Sequence, residues 1–443
     1  MKNNKYYLEC HSCGEKIEDF KQWFDNNQQC PKCKNKRALV RYYKDISTLK
    51  ELLSEKAETA TSVWHYFDLL PLIDKKNIVS QNEGTIPVDN WEFLEKFAKD
   101  NYGITCEVHA YRNDLNGGTG TFKDVAASVA ASVLKENGVK EYCVASTGNI
   151  ATSFSRYLAL ANITNSVFMP QDALRASEAE ISAYGQKVFR VNGDYAKAKK
   201  IAAEFSKKYN ILLSGGNVDP LRVEAKKTMV FEWLRIMKKY PTVYIQALSG
   251  GTGPIAIEKA HDDIKELNLV DKLPRFIMVQ PNRCDPMTQG WNEAKQKGFP
   301  EGWENNYPII EDPITKVPTL ATGNPATFPI IASLVKKSGG EIISFDEDQI
   351  INVAKLVAFE KSLRMGPAAA IAVGGFFDSL QQNLIKNGDV VLINVGEGIK
   401  RAPEFAQKLI YTTEFIDSID DCKPTRRDYY RDKIYKPFDK YRK

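Results

Sequence analysis

No apolar run in the 443 residues is long enough to cross a membrane. The start, Met1-Lys2-Asn3-Asn4-Lys5, leads into no apolar segment of the kind that directs export, so a cytoplasmic location is expected. There is no internal repeat and no low-complexity tract, which sets aside solenoids and repetitive arrays. A glycine-rich turn occurs at 249–254, but no Lys-Ser or Lys-Thr pair follows it, so it is not a Walker A loop. It also misses the full dinucleotide fingerprint, and no acid is placed convincingly downstream. Charge of one sign is missing from most of the chain. The net charge of +5 resides in residues 423–443, with nine Lys or Arg against three Asp, while the rest carries 52 basic and 53 acidic residues. That basic tail also holds Tyr429, Tyr430, Tyr435, Phe438 and Tyr441. Such a segment could touch nucleic acid, but packing on its own body or on a partner subunit is the expected role.

What is present is ordinary for a globular protein. Hydrophobic residues make 43% and charged residues 26%, enough to build cores in two or three domains. Four of the eight cysteines form two Cys-x-x-Cys pairs, Cys10/Cys13 and Cys30/Cys33, separated by a sixteen-residue arm. Each pair presents two thiolates on one tight turn, and two turns complete a tetrahedral site, which is the pattern of a structural zinc ribbon over residues 1–45. Disulfide pairing is the alternative, and His11 is expected to be a bystander. Cys106, Cys143, Cys284 and Cys422 are scattered, as reduced thiols would be.

Helical periodicity over 46–75 starts with Leu49, Leu52 and Leu53 and runs into Trp64, Tyr66, Phe67 and Leu69. Another helix is expected over 91–99. Strands are then expected at Glu141–Ala145, Val167–Met169, Lys187–Val191, Ile211–Leu213, Val243–Leu248, Phe276–Gln280 and Val390–Asn394, alternating with helical stretches. That alternation predicts an α/β fold with a mainly parallel sheet. Two strand-to-helix turns suit anions. Ser146-Thr147-Gly148-Asn149 offers backbone N–H groups and small hydroxyls at a helix start, which suits a carboxylate, and Gly250-Gly251-Thr252-Gly253 offers more glycine, which suits a phosphate. Either turn alone could be a plain βα connection.

The chain centres on Asn116-Gly-Gly-Thr-Gly-Thr-Phe-Lys123-Asp124. Three glycines allow a sharp turn. Thr121 stands where an N-cap is wanted, with Asp124 three residues on in the manner of a capping box. Val125, Val129, Val133 and Leu134 continue on a helical period that Asn137-Gly138 ends. Lys123 is thus predicted in the first turn of a helix, where the dipole favours a neutral amine, the form that attacks an aldehyde. Alone, it could also be a lysine pointing into water.

Taken together and in order, these motifs resemble the fold type II enzymes that use pyridoxal phosphate, which are tryptophan synthase β-like, and within them the threonine synthase family. The likeness extends from the ribbon to about Pro403. It also covers Asn217, Pro220-Leu221-Arg222, Glu224-Ala225-Lys226-Lys227-Thr228, Gly323-Asn324-Pro325 and Gly396-Glu397-Gly398-Ile399-Lys400. The resemblance implies that Lys123 forms the Schiff base with the cofactor and shuttles the α proton. It implies that Asn149 lies beside the cofactor's ring oxygen, that Ser146, Thr147, Gly148 and Asn149 bind the substrate, and that Gly250, Gly251, Thr252 and Gly253 hold the cofactor phosphate. It further implies a large domain over 46–124 and 207–422 and a small mobile one over 125–206.

The chain departs from the family where a Thr or Ser usually faces the pyridine nitrogen, because Val395 aligns at or beside that position. A poorer electron sink would follow, with chemistry that stops at the β carbon. The chain is also similar to cysteate synthases at Gln246–Gly253, at Val279-Gln280-Pro281-Asn282 and at Leu392–Gly396, while Gly323-Asn324-Pro325 is more like threonine synthase. O-Phosphoserine with sulfite is therefore the expected substrate pair, with O-phosphohomoserine and water as the alternative and, from another class, a nucleic-acid-binding zinc-ribbon protein with an inert core. The leaving phosphate needs a cationic subsite, for which Lys400, Arg401, Arg222 and Arg112 are the candidates. A homo-oligomer is compatible with all of this.

Overall fold

The computed structural model describes residues 5–43, 46–54 and 60–443. Residues 1–4 of the chain start, the end of the ribbon at 44–45, and 55–59 of the helical stretch at 46–75 lie outside the described residues. In that stretch the structure has a helix Thr48–Ser54 and a 3₁₀ segment Val63–Leu69.

Thirteen strands are described. β1 (Tyr6–Cys10), β2 (Lys16–Ile17) and β3 (Ala38–Tyr42) form an antiparallel sheet in the order β2-β1-β3. β4 (Val88–Asn90) and β5 (Glu107–Tyr111) open a second sheet. It is completed by β10 (Val243–Ala247), β11 (Arg275–Pro281), β12 (Glu341–Phe345) and β13 (Val390–Asn394), in the order β12-β11-β10-β13-β5-β4. All its pairings are parallel except the edge strand β4. Between the two halves of this sheet in sequence, β6 (Glu141–Ala145), β7 (Thr164–Pro170), β8 (Lys187–Val191) and β9 (Leu212–Leu213) make a separate parallel sheet in the order β8-β7-β6-β9. The expected α/β architecture with two parallel sheets is thus the observed one. The boundary placed at 206 falls inside the helix Tyr195–Tyr209, and the small sheet closes only with β9.

The central strands read as nearly unbroken apolar runs because both sheet faces are covered. Val243, Ile245, Ile277, Val279 and Ile393 point into one core, and Tyr244, Phe276, Met278 and Leu392 into the other. The helix Pro367–Gln381 lies close on the first face: a Cβ at Gly375 would collide with Val279. The helix Pro220–Met237 packs against the helices Asp124–Glu136 and Thr252–Glu266 and carries buried ion pairs, Lys227 with Glu224 at 2.6 Å and Arg235 with Glu232 at 2.6 Å.

The N-terminal sheet is no appendage. Tyr6, Leu8, Trp23 and Val40 share one apolar cluster with Val125, Val129 and Val133 of the 124–136 helix. Tyr42 donates to Glu224 at 2.7 Å, and Gln28 donates to the Leu213 carbonyl at 2.6 Å. The basic tail likewise packs on its own body. Phe438 and Tyr441 pack at a tilt against Phe377 with ring centroids 4.7 and 5.4 Å away, Tyr102 donates to the Tyr441 carbonyl at 2.6 Å, and Tyr435 donates to Glu360 at 2.9 Å.

Candidate active site

The loop before Lys123 turns through Gly118 and Gly120 at positive φ and is held on the segment that follows β13. Phe122 N–H donates to the Gly396 carbonyl at 3.1 Å, Gly398 N–H donates to the Gly120 carbonyl at 3.3 Å, and Thr121 bridges Glu397. The capping box forms only in its carboxylate half. Thr121 N–H donates to Asp124 at 3.0 Å and Thr119 Oγ1 donates to the same carboxylate at 2.8 Å, but Thr121 Oγ1 accepts from Lys123 N–H rather than from residue 124. Lys123 therefore sits at the cap itself, one residue ahead of the helix Asp124–Glu136. Burial drives the Asp124 carboxyl up to about 7, against the hydrogen bonds it accepts from Thr121 and Thr119.

Lys123 is half-buried, its amine 3.6 Å from the centroid of Phe122. Burial pulls that amine down to about 7. Glu397 opposes the shift, and Arg222 adds to it. Glu397 is itself buried, accepts from Ala368 N–H at 2.9 Å and from Asn149 Nδ2, and so lies between the Lys123 loop and the start of the helix Asn149–Leu160.

Lys123 opens onto a cavity of about 1040 Å³. On one side is the 146–149 turn, where Ser146 Oγ accepts from the N–H groups of Gly148 and Ala151 at 3.2 Å each, which holds the helix start in shape. On another side is the 250–253 turn at the N-terminus of the fifteen-residue helix Thr252–Glu266. Here a side chain is sterically barred: a Cβ at Gly250 would collide with the Asn217 amide, and Gly251, at φ +81°, would meet Ile331. Thr252 Oγ1 donates to Asn217 at 3.0 Å and Thr327 Oγ1 donates to the Gly250 carbonyl at 2.7 Å. The result is a rigid cradle of backbone N–H groups at the positive end of a helix, which fits a phosphate. A near-neutral amine and a phosphate cradle in one cavity fit pyridoxal phosphate, whose aldehyde and phosphate are the two groups such residues would hold.

Of the residues singled out from sequence, Lys123, Ser146, Thr147, Asn149, Gly250, Gly251 and Thr252 line this cavity. Gly148 and Gly253 do not; Gly253 lies one step inside the helix against Gln246. Val395, between the cavity-lining Asn394 and Gly396, is fully buried and does not line it. Side chains alternate along β13 and just beyond it, so Ile393 and Val395 enter the core while Asn394 faces the cavity, accepting from Asn113 Nδ2 at 2.8 Å.

The four candidate cations divide in the same way. Arg112 is taken up by Asp89 and Asp114, and Arg401 by Glu180, Thr152 and Asn149; Lys400 is exposed. Only Arg222 faces the cavity. It is 4% exposed, and its Nε has no hydrogen-bond partner among the described residues. The buried Asp219 is its acidic neighbour. Glu397, Asn217 and Lys226 also line the cavity, and no local sequence signal marks them as cavity residues.

The ribbon supplies part of the cavity mouth through His11, Asn35 and Arg37. Its four thiols converge with Sγ atoms within 4.8 Å of one another, Cys10 to Cys33 at 3.4 Å and Cys13 to Cys30 at 3.7 Å. A disulfide would need about 2.05 Å. A tetrahedron of thiolates at a Zn–S distance of about 2.3 Å has edges near 3.8 Å, so the cluster could hold a metal ion. His11 is not part of it.

Residues 79–396 match the family model described as pyridoxal-phosphate dependent enzyme. The chain is 26% identical over 361 residues to a threonine synthase of Methanocaldococcus jannaschii, covering 80% of this chain and 85% of that protein. It is 27% identical over 352 residues to a cysteate synthase of Methanothrix thermoacetophila, covering 77% and 82%. Among solved structures, maize serine racemase superposes with a TM-score of 0.60 at 15% identity over 83% of this chain and 97% of that one. Diaminopropionate ammonia lyase from Escherichia coli gives 0.60 at 13% identity over 81% and 92%. None of the helices among the described residues is long and apolar enough to cross a membrane. With the family model matching residues 79–396, the chain belongs to the pyridoxal-phosphate dependent enzymes, and the relatives named above are threonine and cysteate synthases.

Proposed function

We propose that this enzyme eliminates phosphate from an O-phospho amino acid and adds an anionic nucleophile at the β carbon, with O-phosphoserine and sulfite, giving cysteate, as its substrates. The observation that carries this reading is the charge of the cavity. Seven lysine or arginine side chains line it against a single carboxylate, Glu397, and even with the Lys123 and Lys226 amines uncharged the basic groups outnumber it five to one. A carboxylate, a departing phosphate and an incoming sulfite are all anions, and a site lined this way concentrates them. Similarity to a cysteate synthase is compatible with this choice, as similarity to a threonine synthase is with the alternative. Asn394 faces the cavity and Val395 lies in the core beside it, so this reading rests on the cavity charge rather than on the electron sink.

When bound, pyridoxal phosphate supplies the electron sink for charge left by proton loss at the α carbon. The chain's own residues do the rest. Lys123 holds the cofactor covalently, and its amine, once released, removes and returns the α proton at Nζ, a task suited to a base poised near neutrality. The turn would orient the substrate carboxylate through Ser146 and Thr147, which line the cavity, Asn149 would help to hold the cofactor ring, and Arg222 would receive the phosphate. The segment 125–206, with β9, closes over the substrate and excludes water.

The test is phosphate release by the purified protein. Sulfite-dependent release from O-phosphoserine is expected. Release from O-phosphohomoserine with water alone, and none from O-phosphoserine, would establish the threonine synthase reading instead.

The low Lys123 amine value has a direct consequence. Only the neutral amine attacks an aldehyde, so the rate at which apo-protein captures pyridoxal phosphate should rise with pH, pass its midpoint near 7 and level off above 8. An ordinary lysine, near 10.4, would still be gaining through pH 9. Stopped-flow absorbance across pH 6–10 reads this.

One zinc per chain is expected at Cys10, Cys13, Cys30 and Cys33. Because the ribbon walls the cavity and shares a core with the 124–136 helix, stripping the metal should lower activity as well as melting temperature. Elemental analysis of Cys13→Ser, with less than about a tenth of the wild-type zinc, would agree.

A further inference from the structure

Lys226 is a cavity residue that the reading above leaves idle. It lies one turn beyond Arg222 on the same face of the helix Pro220–Met237 and is 1% exposed. Its amine makes no hydrogen bond and no ion pair among the described residues. It is 4.1 Å from the Phe122 centroid, on the ring that also carries the Lys123 amine. Its sequence neighbour shows the contrast, because Lys227 is equally buried but paired with Glu224 at 2.6 Å and Asp263 at 3.4 Å. A buried lysine without a partner costs stability unless something arrives to pair with it, and this one faces the space where substrate must sit.

We propose that Lys226 completes, beside Arg222, an oxyanion subsite distinct from the Gly250–Thr252 cradle, and that it takes up a proton from solvent as a doubly charged oxyanion binds and returns it when the anion leaves. The proposal rests on the functional reading above and deepens it, since the ligand is the shared chemistry of the leaving phosphate and the sulfite nucleophile. The charged groups acting on Lys226 are Lys123, from the loop before the 124–136 helix, and Arg222, from its own helix; Glu397 acts on Lys123 from across the cavity. Burial with these two cations holds the empty-site amine well below the usual lysine range, so a proton is available to be gained. In the holoenzyme Lys123 is tied to the cofactor, which leaves Lys226 as the titrating amine. The balance is one proton onto Nζ per anion bound and one off per anion released, with no other bond changed.

Inorganic sulfate is the probe, because it stays doubly charged near pH 8 and cannot itself supply or take the proton. Calorimetric titration of the holoenzyme with sulfate, at pH 8 in two buffers of different ionisation enthalpy, should show close to one proton taken up per anion. Lys226→Arg should bind sulfate within a few-fold of wild type with that uptake gone, since arginine is already charged. Lys226→Met should bind at least about tenfold more weakly. Wild-type binding without proton uptake, uptake unchanged in Lys226→Arg, or unweakened binding by Lys226→Met would each overturn the proposal. Should Lys226→Met fail to fold, the comparison of wild type with Lys226→Arg still decides it. Displacement of sulfate by sulfite would identify the nucleophile as the occupant and displacement by phosphate the leaving group; displacement by neither would again overturn it. Turnover is not needed for any of these measurements. An enzyme inactive on both phospho amino acids that still takes up the proton would refute the substrate reading alone.

Discussion

Lys123→Ala is expected to lose the covalent link to pyridoxal phosphate entirely and to lower turnover by about 10³-fold or more. Two functions reside in the one amine. The first is attachment: after borohydride reduction the wild-type protein should carry the cofactor on the peptide containing Lys123, and the variant should carry none. The second is proton transfer at the α carbon, which by itself contributes about 10²–10⁴-fold when a positioned side chain performs it. No other amine replaces it on geometric grounds, because Lys226 enters from a different helix and Lys227 is locked in ion pairs. The variant should nonetheless fold. Lys123 is held at the helix cap by its backbone, and the supporting contacts belong to Thr119, Thr121 and Asp124. Removing an amine whose burial holds it near 7 also removes a group that the unfolded chain would protonate up to about pH 10.4. The apo variant should therefore lose the part of the wild-type stability gain that accrues between pH 7 and 10. Retained covalent attachment in Lys123→Ala would assign the link to another residue and overturn the reading.

Gly251→Ala is expected to weaken cofactor binding by roughly 10–100-fold while leaving Lys123 chemistry intact at saturating cofactor. Two independent costs coincide there. The residue sits at φ +81°, a conformation that costs an L side chain about 1–2 kcal/mol, and the new methyl would run into Ile331. Relief of the clash must move either the 250–253 turn or the helix Phe328–Ser338, whose Ile331 is fully buried. Either movement disturbs the N–H groups aimed at the phosphate, because Thr327 Oγ1 ties that helix start to the Gly250 carbonyl at 2.7 Å. Absorbance titration of apo-protein with pyridoxal phosphate measures the affinity; an unchanged value would mean that the phosphate is held elsewhere. Together the two substitutions separate the ends of the cofactor site, since one removes attachment with the cradle intact and the other does the reverse.

Several features of the site were legible along the chain because their signals are local. A Cys-x-x-Cys turn, a glycine run before a helical period and a glycine-rich βα turn are each complete within ten residues, and the structure places all of them as elements of one cavity or its wall. The strands Glu141–Ala145, Lys187–Val191 and Val390–Asn394 were readable to the residue from short runs bounded by turn signals; β6 and β13 are mostly buried, while β8 is a half-exposed edge strand. β5 escaped this reading. Glu107-Val-His-Ala-Tyr111 mixes charge with small residues, and it becomes a strand by pairing in parallel with β13, nearly three hundred residues away.

By itself, then, the sequence determined the fold class, the placing of Lys123 at a helix start, the two small-residue strand-to-helix turns and the thiol pairs, because each depends on neighbours in the chain. Only the tertiary structure decided which side chains look into the cavity. Arg222 and Lys226 face it while Arg112 and Arg401 are consumed by carboxylates, and Asn394 faces it while Val395 enters the core. It also made the ribbon part of the active-site wall. Those outcomes turn on strand alternation, helix facing and ion pairs between segments far apart in the chain, and no local pattern encodes which of several similar cations will find its carboxylate first.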